Sequence, residues 1–245
     1  MKNFKEIAAR IWALWGMLTF IITFLIFFIP SMCTNLMAEP RSSILFTKIS
    51  RWWMNVWLKL ICCPLIVKGK ENFKPNTSYI VTCNHNSLMD VPLSSPYIPG
   101  ANKTIAKTSF TKIPLFGSYY KKGSVLVDRK SESSRKESFR KMKQVLEMGF
   151  HMCIYPEGTR NKSKEIIGNF HGGAFRLAVD TKHAIIPGVI FNTKKVLPNN
   201  KKFYFLPHKL EIHFLPPIPV SNEDDADSLK EKTHAIMKNY LLAYS

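Results

Sequence analysis

The sequence predicts an α/β fold: a mixed, largely parallel sheet flanked by helices and preceded by an N-terminal two-helix membrane motif. Three observations carry this. Short β-rich runs recur along the chain, separated by segments with helical pattern or turn chemistry, an alternation that builds a sheet sandwiched by helices. No Lys, Arg, Asp or Glu occurs from Ile11 to Ala38. The chain closes on "DADSLKEKTHAIMKNYLLAY", which lines Leu229, Thr233, Ile236, Met237 and Tyr240 along one side of a helix.

The first element is "IWALWGMLTFIITFLIFFIP", residues 11–30. Twenty mostly apolar residues make a helix of roughly 30 Å, the thickness of a bilayer core. The run exceeds the usual apolar region of a signal peptide and is followed by no small-x-small cleavage site. Lys2, Lys5 and Arg10 precede it and Arg41, Lys48 and Arg51 follow, so flanking charge does not choose an orientation. Two geometries fit: a single span, or a helix that enters, breaks at Pro30 and returns the chain to the same face.

The second element is "ILFTKISRWWMNVWLKLICC". Lys48, Arg51, Asn55 and Lys59 recur at helical spacing, while Leu45, Ile49, Trp52, Val56, Trp57 and Leu60 fill the other face. A helix with basic and tryptophan-rich borders suits the headgroup boundary of an anionic leaflet. Residues 1–63 are thus read as membrane-embedded or interfacial helices, and 64–245 as one α/β domain.

Within that domain, strands are predicted at "LIVKG", "SYIVTCN", "SVLVD", "MCIYP", "AIIPGVI" and "LEIHFL". A helix is predicted over "SESSRKESFRKMKQVLEMG", with Phe139, Met142, Val145 and Leu146 inward and Gly149 as its stop. A shorter one is predicted over "GGAFRLAVDTK".

The formal net charge of +18 points to an anionic partner, and nucleic acid, acidic lipid and phosphorylated small molecules all qualify on charge alone. Much of the excess falls between Lys103 and Lys143. No nucleic-acid motif accompanies it, and the apolar N-terminal run argues against a nucleic-acid partner. The five cysteines lack C-x-x-C spacing. They predict a reducing compartment and no metal site, which favours the cytoplasmic face of the inner (plasma) membrane.

The chemistry gathers where strands end, since carboxyl ends of strands in an α/β sheet share one crevice. "NHNSLMD" follows a predicted strand and sets His85 five residues before Asp90. An imidazole can take a proton from a hydroxyl when a carboxylate orients its ring and stabilises the imidazolium. Alone the pattern is weak. "YPEGTRNKS" adds Glu157, Gly158, Thr159 and Arg160 in a tight turn whose guanidinium can grip a phosphate with two hydrogen bonds. "KGSVLVDR" ends another strand with Asp128 and Arg129, and "AKTSFTKIPLFG" carries Lys107 and Lys112. Ser87 or Cys83 could be read as a nucleophile activated by His85, but each lies too near it in sequence for suitable geometry.

These stretches resemble, in order and over nearly the whole chain, the motifs of the glycerolipid acyltransferases that acylate 1-acylglycerol 3-phosphate, the lysophosphatidate acyltransferases. "NHNSLMD" is similar to the first block, which implies His85 as general base and Asp90 as its orienting partner. "GSVLVDR" resembles the second and implies acceptor binding by Arg129. "EGTR" resembles the third, which implies a phosphate site at Arg160 within the turn of Glu157, Gly158 and Thr159. "AIIPGVI", with Pro187, resembles the fourth, on the acyl-donor side. Lys107 lies where relatives carry a basic residue facing the phosphate. Where many relatives read F-K-K-G-A-F, this chain has "FHGGAF", so His171, or Lys162 and Lys164, must replace the two lysines unless the acceptor differs.

The resemblance implies a membrane-bound enzyme that moves an acyl chain from acyl-CoA or acyl carrier protein to the 2-hydroxyl of lysophosphatidate, giving phosphatidate, with no cofactor and no metal. Other expected possibilities are another lysolipid acceptor (a lyso-ornithine lipid or lysophospholipid), a hydrolase using the same pocket, and a non-catalytic protein that binds anionic lipid.

Overall fold

The computed structural model describes residues 2–244, excluding the side chains of Lys2 and Asn3, so Lys2's place among the flanking charges lies outside it. A seven-stranded sheet forms the centre, in the order β1-β7-β6-β2-β5-β3-β4. The strands are β1 (Leu65–Lys68), β2 (Ile80–Cys83), β3 (Asn102–Lys107), β4 (Ser124–Val127), β5 (His151–Ile154), β6 (Ile185–Phe191) and β7 (Leu210–Phe214). Only β6 and β7 pair antiparallel; every other neighbouring pair is parallel.

Central β2 and β5 are buried at every position, which is why they read as unbroken apolar runs. All six predicted strands form. The seventh, β3, lacks an apolar signature: its inward positions are Asn102, Thr104 and Ala106. Asn102 is satisfied locally, its Nδ2 donating to Ser95 O and its Oδ1 accepting from Ser95 Oγ, both at 2.8 Å.

Successive β residues face opposite layers. Val81, Cys83, Ile186, Ile212 and Phe214 share one core with the N-terminal helices α1 (Lys2–Cys33) and α2 (Arg41–Leu60). Ile80, Met152, Ile154 and Ile185 face the other core. That side is covered by α5 (Glu132–Glu147) and α6 (Gly173–Thr181), with α8 (Ala226–Tyr244) packed beside α6. The short helices α3 (Asp90–Ser94), α4 (Phe116–Lys122) and α7 (Thr193–Val196) complete the chain. α5 buries Met142, Val145 and Leu146 as its period predicts; Ser131 Oγ caps it by accepting from Ser134 N, and Gly149 leaves it with φ +82°.

α1 and α2 form an antiparallel hairpin whose interface is fastened by tryptophans. Trp53 Nε1 donates to Thr23 Oγ1 at 2.9 Å and Trp57 Nε1 to Gly16 O at 3.1 Å; in return Trp15 Nε1 donates to Leu60 O at 2.9 Å. The buried indoles of Trp53 and Trp57 need such partners, and the small residues Gly16, Thr19 and Thr23 let the helices approach.

Two expectations are corrected here. The helix does not break at Pro30 but runs to Cys33, because a proline in the last turns forfeits only the bond to Ile26 O; the reversal falls in residues 34–40. On α2, Ile49 and Trp57 are buried whereas Trp52, Val56 and Leu60 face outward beside Lys48 and Lys59. Arg51 turns inward and donates to Pro96 O and Ile98 O, so it holds the sheet domain rather than a headgroup.

The outer face of α1 exposes Ile11, Leu14, Met17, Leu18, Ile21, Ile22, Leu25 and Ile26. By length and composition, the helix over Phe4–Leu36 is sufficient to cross a membrane.

Candidate active site

Where β2 ends, the buried amide of Asn84 takes over strand pairing. Its Nδ2 donates to Ile190 O at 3.0 Å and its Oδ1 accepts from Ile190 N at 2.7 Å, which fixes the backbone just before His85. The chain then turns, and Asp90 opens α3 fully buried. Asp90 Oδ2 lies 2.8 Å from His85 Nδ1 and also accepts from the backbone N–H groups of Asn86 (2.5 Å) and Ser87 (2.7 Å). One carboxylate oxygen thus folds the loop and sets the ring. A carboxylate acceptor places the proton on Nδ1, leaving the Nε2 lone pair free to act as a base. The His85 side chain is 16% exposed, so that edge is reachable.

Three further residues hold His85, one at its ring and two at its backbone. Tyr155, immediately after β5, lays its ring against it with centroids 4.4 Å apart. Its hydroxyl lies 2.5 Å from Ser94 Oγ, at the far end of the helix that Asp90 opens. Asn161 N donates to His85 O at 2.7 Å. Glu157, buried, accepts the His85 backbone N–H at 2.6 Å through Oε1 and the Gly168 N–H at 2.8 Å through Oε2. Burial pushes the Glu157 carboxyl above its ordinary value, opposed by those two amide bonds. Glu157 therefore departs from its expected place: its carboxylate faces inward, whereas a phosphate site needs donors.

The cations come together because their strands are neighbours. His85 follows β2, Glu157–Arg160 follow β5, Lys107 ends β3 and Arg129 lies just past β4, so four consecutive strands deliver them at one edge. Lys107 is in register with Val127, two residues before Arg129. Arg129 Nη1 donates to Gly158 O, not to Asp128, whose Oδ1 accepts from Lys130 N. Gly158 has φ +69°, and a Cβ there would lie 2.8 Å from His171 Cδ2 and 3.3 Å from Arg129 Nη1. His171 thus packs on the EGTR turn beside Arg129. Lys162 and Lys164 are exposed on the following loop, and Thr159 is exposed at the turn.

Arg160 is steered by Asn199, whose Oδ1 accepts from Nη1 at 3.3 Å, while Asn199 Nδ2 donates to Asn86 O. Asn199 and Tyr155 escape sequence reasoning for different reasons. Asn199 sits in a loop 113 positions from Asn86, whose carbonyl it bonds, whereas Tyr155 reads simply as the end of an apolar strand. Ser87 Oγ donates to Leu197 O at 2.7 Å and Cys83 is buried in the sheet, so neither is presented as a nucleophile.

Comparison with solved structures gives the fold a counterpart. The crystal structure of the 1-acyl-sn-glycerophosphate acyltransferase PlsC from Thermotoga maritima superposes with a TM-score of 0.81, covering 100% of this chain and 98% of that one at 21% identity. Among curated proteins, the 1-acyl-sn-glycerol-3-phosphate acyltransferase of Cocos nucifera is 30% identical over 182 residues, 73% of this chain and 58% of that protein. The alpha form from Homo sapiens is 27% identical over 175 residues, covering 70% and 61%. The match thus spans about three fifths of the length of these two relatives. The enzyme of that name from Saccharomyces cerevisiae is 27% identical over 215 residues, covering 82% and 70%. A family model described as Acyltransferase matches residues 64–191, a range that holds the histidine, its acid and all three cations; the chain belongs to the acyltransferase family.

Proposed function

We propose that this protein is a membrane-embedded enzyme that transfers a fatty acyl chain from acyl-CoA or acyl carrier protein to the 2-hydroxyl of 1-acylglycerol 3-phosphate. The observation that carries this reading is the 2.8 Å contact between His85 Nδ1 and Asp90 Oδ2, made at the strand edge that also bears Arg160, Arg129 and Lys107.

In the proposed reaction His85 Nε2 takes the proton from the glycerol hydroxyl as its oxygen attacks the thioester carbonyl. The tetrahedral intermediate collapses, the C–S bond breaks, and the imidazolium returns its proton to the leaving sulfur. The product ester and a free thiol account for all atoms without a covalent acyl-enzyme. Asp90 keeps the tautomer and stabilises the imidazolium. Arg160, Arg129 and Lys107 bind the phosphate, with His171 beside them, so the hydroxyl is held near His85 by proximity. Glu157, Tyr155 and Asn161 act through His85 as positioning residues.

A single-chain lysophospholipid partitions into bilayers, and the outward apolar face of α1 supports an enzyme that meets it there. The free thiols Cys63, Cys83 and Cys153 support a reducing, cytoplasmic side. Basic charge would attract anionic lipid and the phosphates of CoA or the acidic surface of a carrier protein.

The test offers protein reconstituted in vesicles a panel of labelled acceptors: lysophosphatidate, glycerol 3-phosphate, lyso-ornithine lipid and a neutral monoacylglycerol, each with acyl-CoA and with acyl carrier protein. Transfer is expected to lysophosphatidate, and His85→Ala should lower kcat by about 10²–10⁴-fold. If no acceptor is acylated and the variant matches wild type, the enzyme reading is wrong; fatty acid released without acceptor would point to a hydrolase.

A further inference from the structure

We infer that residues 108–115, between β3 and α4, form an apolar wedge that enters the bilayer at the mouth of the site, a second membrane contact distinct from the N-terminal helices. The inference rests on the membrane part of the proposed function and adds to it the route by which a lysolipid reaches Lys107 and Arg129.

The segment turns its large side chains the wrong way for a water-facing loop. Phe110 is 39% exposed, Ile113 46% and Leu115 49%, three apolar residues within six positions. Yet it is internally bonded. Thr111 Oγ1 donates to Thr108 O at 2.7 Å, Ile113 N to Phe110 O at 3.3 Å, and Gly117 N to Ile113 O at 2.7 Å. Gly117 packs so closely on the turn that a Cβ would lie 2.2 Å from Thr111 O. Leu115 has φ +59°, a conformation rare for a leucine, and its side chain is half exposed. Outward apolar side chains on a segment held this firmly mark an interaction surface.

Its occupant follows from what adjoins it. α4 follows directly and packs on the hairpin, with the Phe116 ring 5.6 Å from that of Phe24 and Tyr119 5.3 Å from Trp53. The wedge is therefore tied to the helix that carries the broad apolar face of α1. On its other side, Phe110 packs on Tyr120 at 5.5 Å, and Lys107 immediately precedes the wedge at the end of β3. Lys112 stands within it. Apolar tips with lysines behind them match acyl chains below anionic headgroups. Three side chains fall far short of the roughly 1,000 Å² that a stable protein interface buries, which disfavours a second copy as the partner.

Two measurements decide this. The Ile113→Glu/Leu115→Glu variant should lose roughly tenfold in kcat/KM on lysophosphatidate presented in phosphatidylglycerol-containing vesicles, and keep its rate on a monomeric short-chain analogue. An equal loss, or no loss, on both acceptors overturns the wedge while leaving the enzyme reading intact. If wild type acylates neither acceptor, the proposed function fails, and the wedge is judged by the second measurement. A fluorophore at Ile113→Cys, in a Cys33→Ser/Cys62→Ser background reconstituted in vesicles, should be quenched by brominated acyl chains. Absence of quenching overturns the inference, as does shielding that follows protein concentration at fixed lipid, which would assign the surface to a second copy.

Discussion

Glu157 Oε1 accepts the backbone N–H of His85 at 2.6 Å, so the acid of one sequence motif holds the histidine of another across the gap between β2 and β5. Its second oxygen takes Gly168 N–H, and that glycine cannot carry a side chain, since a Cβ would lie 2.6 Å from Oε2. Both bonds need an acceptor. Glu157→Gln supplies one oxygen and turns an NH₂ toward a donor, so about 1–3 kcal/mol of local stability should be lost. Kinetically, kcat should fall about tenfold or more with KM for the acceptor nearly unchanged. A rise in KM alone would mean that Glu157 meets the acceptor itself.

Tyr155 is expected to act through its ring. Its hydroxyl ties α3 to β5 through Ser94, while its face lies against the imidazole. Tyr155→Phe keeps the face and should retain kcat within about threefold, at a stability cost near that of one buried hydrogen bond, about 1 kcal/mol. Tyr155→Leu removes the surface that fixes the ring and should lower kcat about tenfold with little change in KM. An equal fall in rate for the two variants would make the hydroxyl, not the ring, the element that matters.

Phosphate recognition gives a pair of opposite expectations. Arg160→Ala should raise KM for lysophosphatidate by roughly 10–100-fold, as loss of a charge-assisted contact does, and raise it far less for a neutral acceptor. His171→Lys places an ammonium beside Arg129 and Gly158, and should lower KM for the phosphate-bearing acceptor. A His171→Lys variant that gains nothing on phosphate but loses on another lysolipid would identify the histidine as a determinant for that other headgroup.

Sequence patterns revealed the elements whose burial is one-sided or complete. β2 and β5 announce themselves because both faces are covered, and α5 because its inward stripe of Met142, Val145 and Leu146 keeps helical period. β3 is hidden because its inward positions are Asn102, Thr104 and Ala106, a run without apolar alternation, and Asn102 answers to Ser95 rather than to a hydrophobic core. On α2 periodicity separates a basic face from an apolar one, but it does not show that the apolar set divides, Ile49 and Trp57 inward and Trp52 outward, or that Arg51 bonds the loop after α3. His85 and Asp90 were legible because five residues separate them. Tyr155 and Asn199 were not, for Tyr155 meets the imidazole only once β5 lies beside β2, and Asn199 reaches Asn86 O and Arg160 from the loop after α7.

His151 makes the fold itself sensitive to acid. It starts β5 almost fully buried, its Nδ1 accepting Tyr79 N–H at 3.1 Å and its ring set between Tyr79 and Phe73. Burial lowers its pKa to about 4, against a partly opposing bond to the Pro99 backbone. The unfolded chain, with an ordinary imidazole near 6.5, therefore binds more protons than the folded one between those two values. Stability should rise with pH through that window, be fully present above about 6.5, and decline as pH falls toward 4, by up to about 3 kcal/mol from this group. His151→Gln can still accept from Tyr79 N–H and does not titrate. Melting temperatures of both proteins, measured in one detergent from pH 7.5 to 4, should diverge from parallel below about 6.5, the wild type falling more steeply. Parallel curves throughout would show that His151 is not the group through which acid weakens the fold.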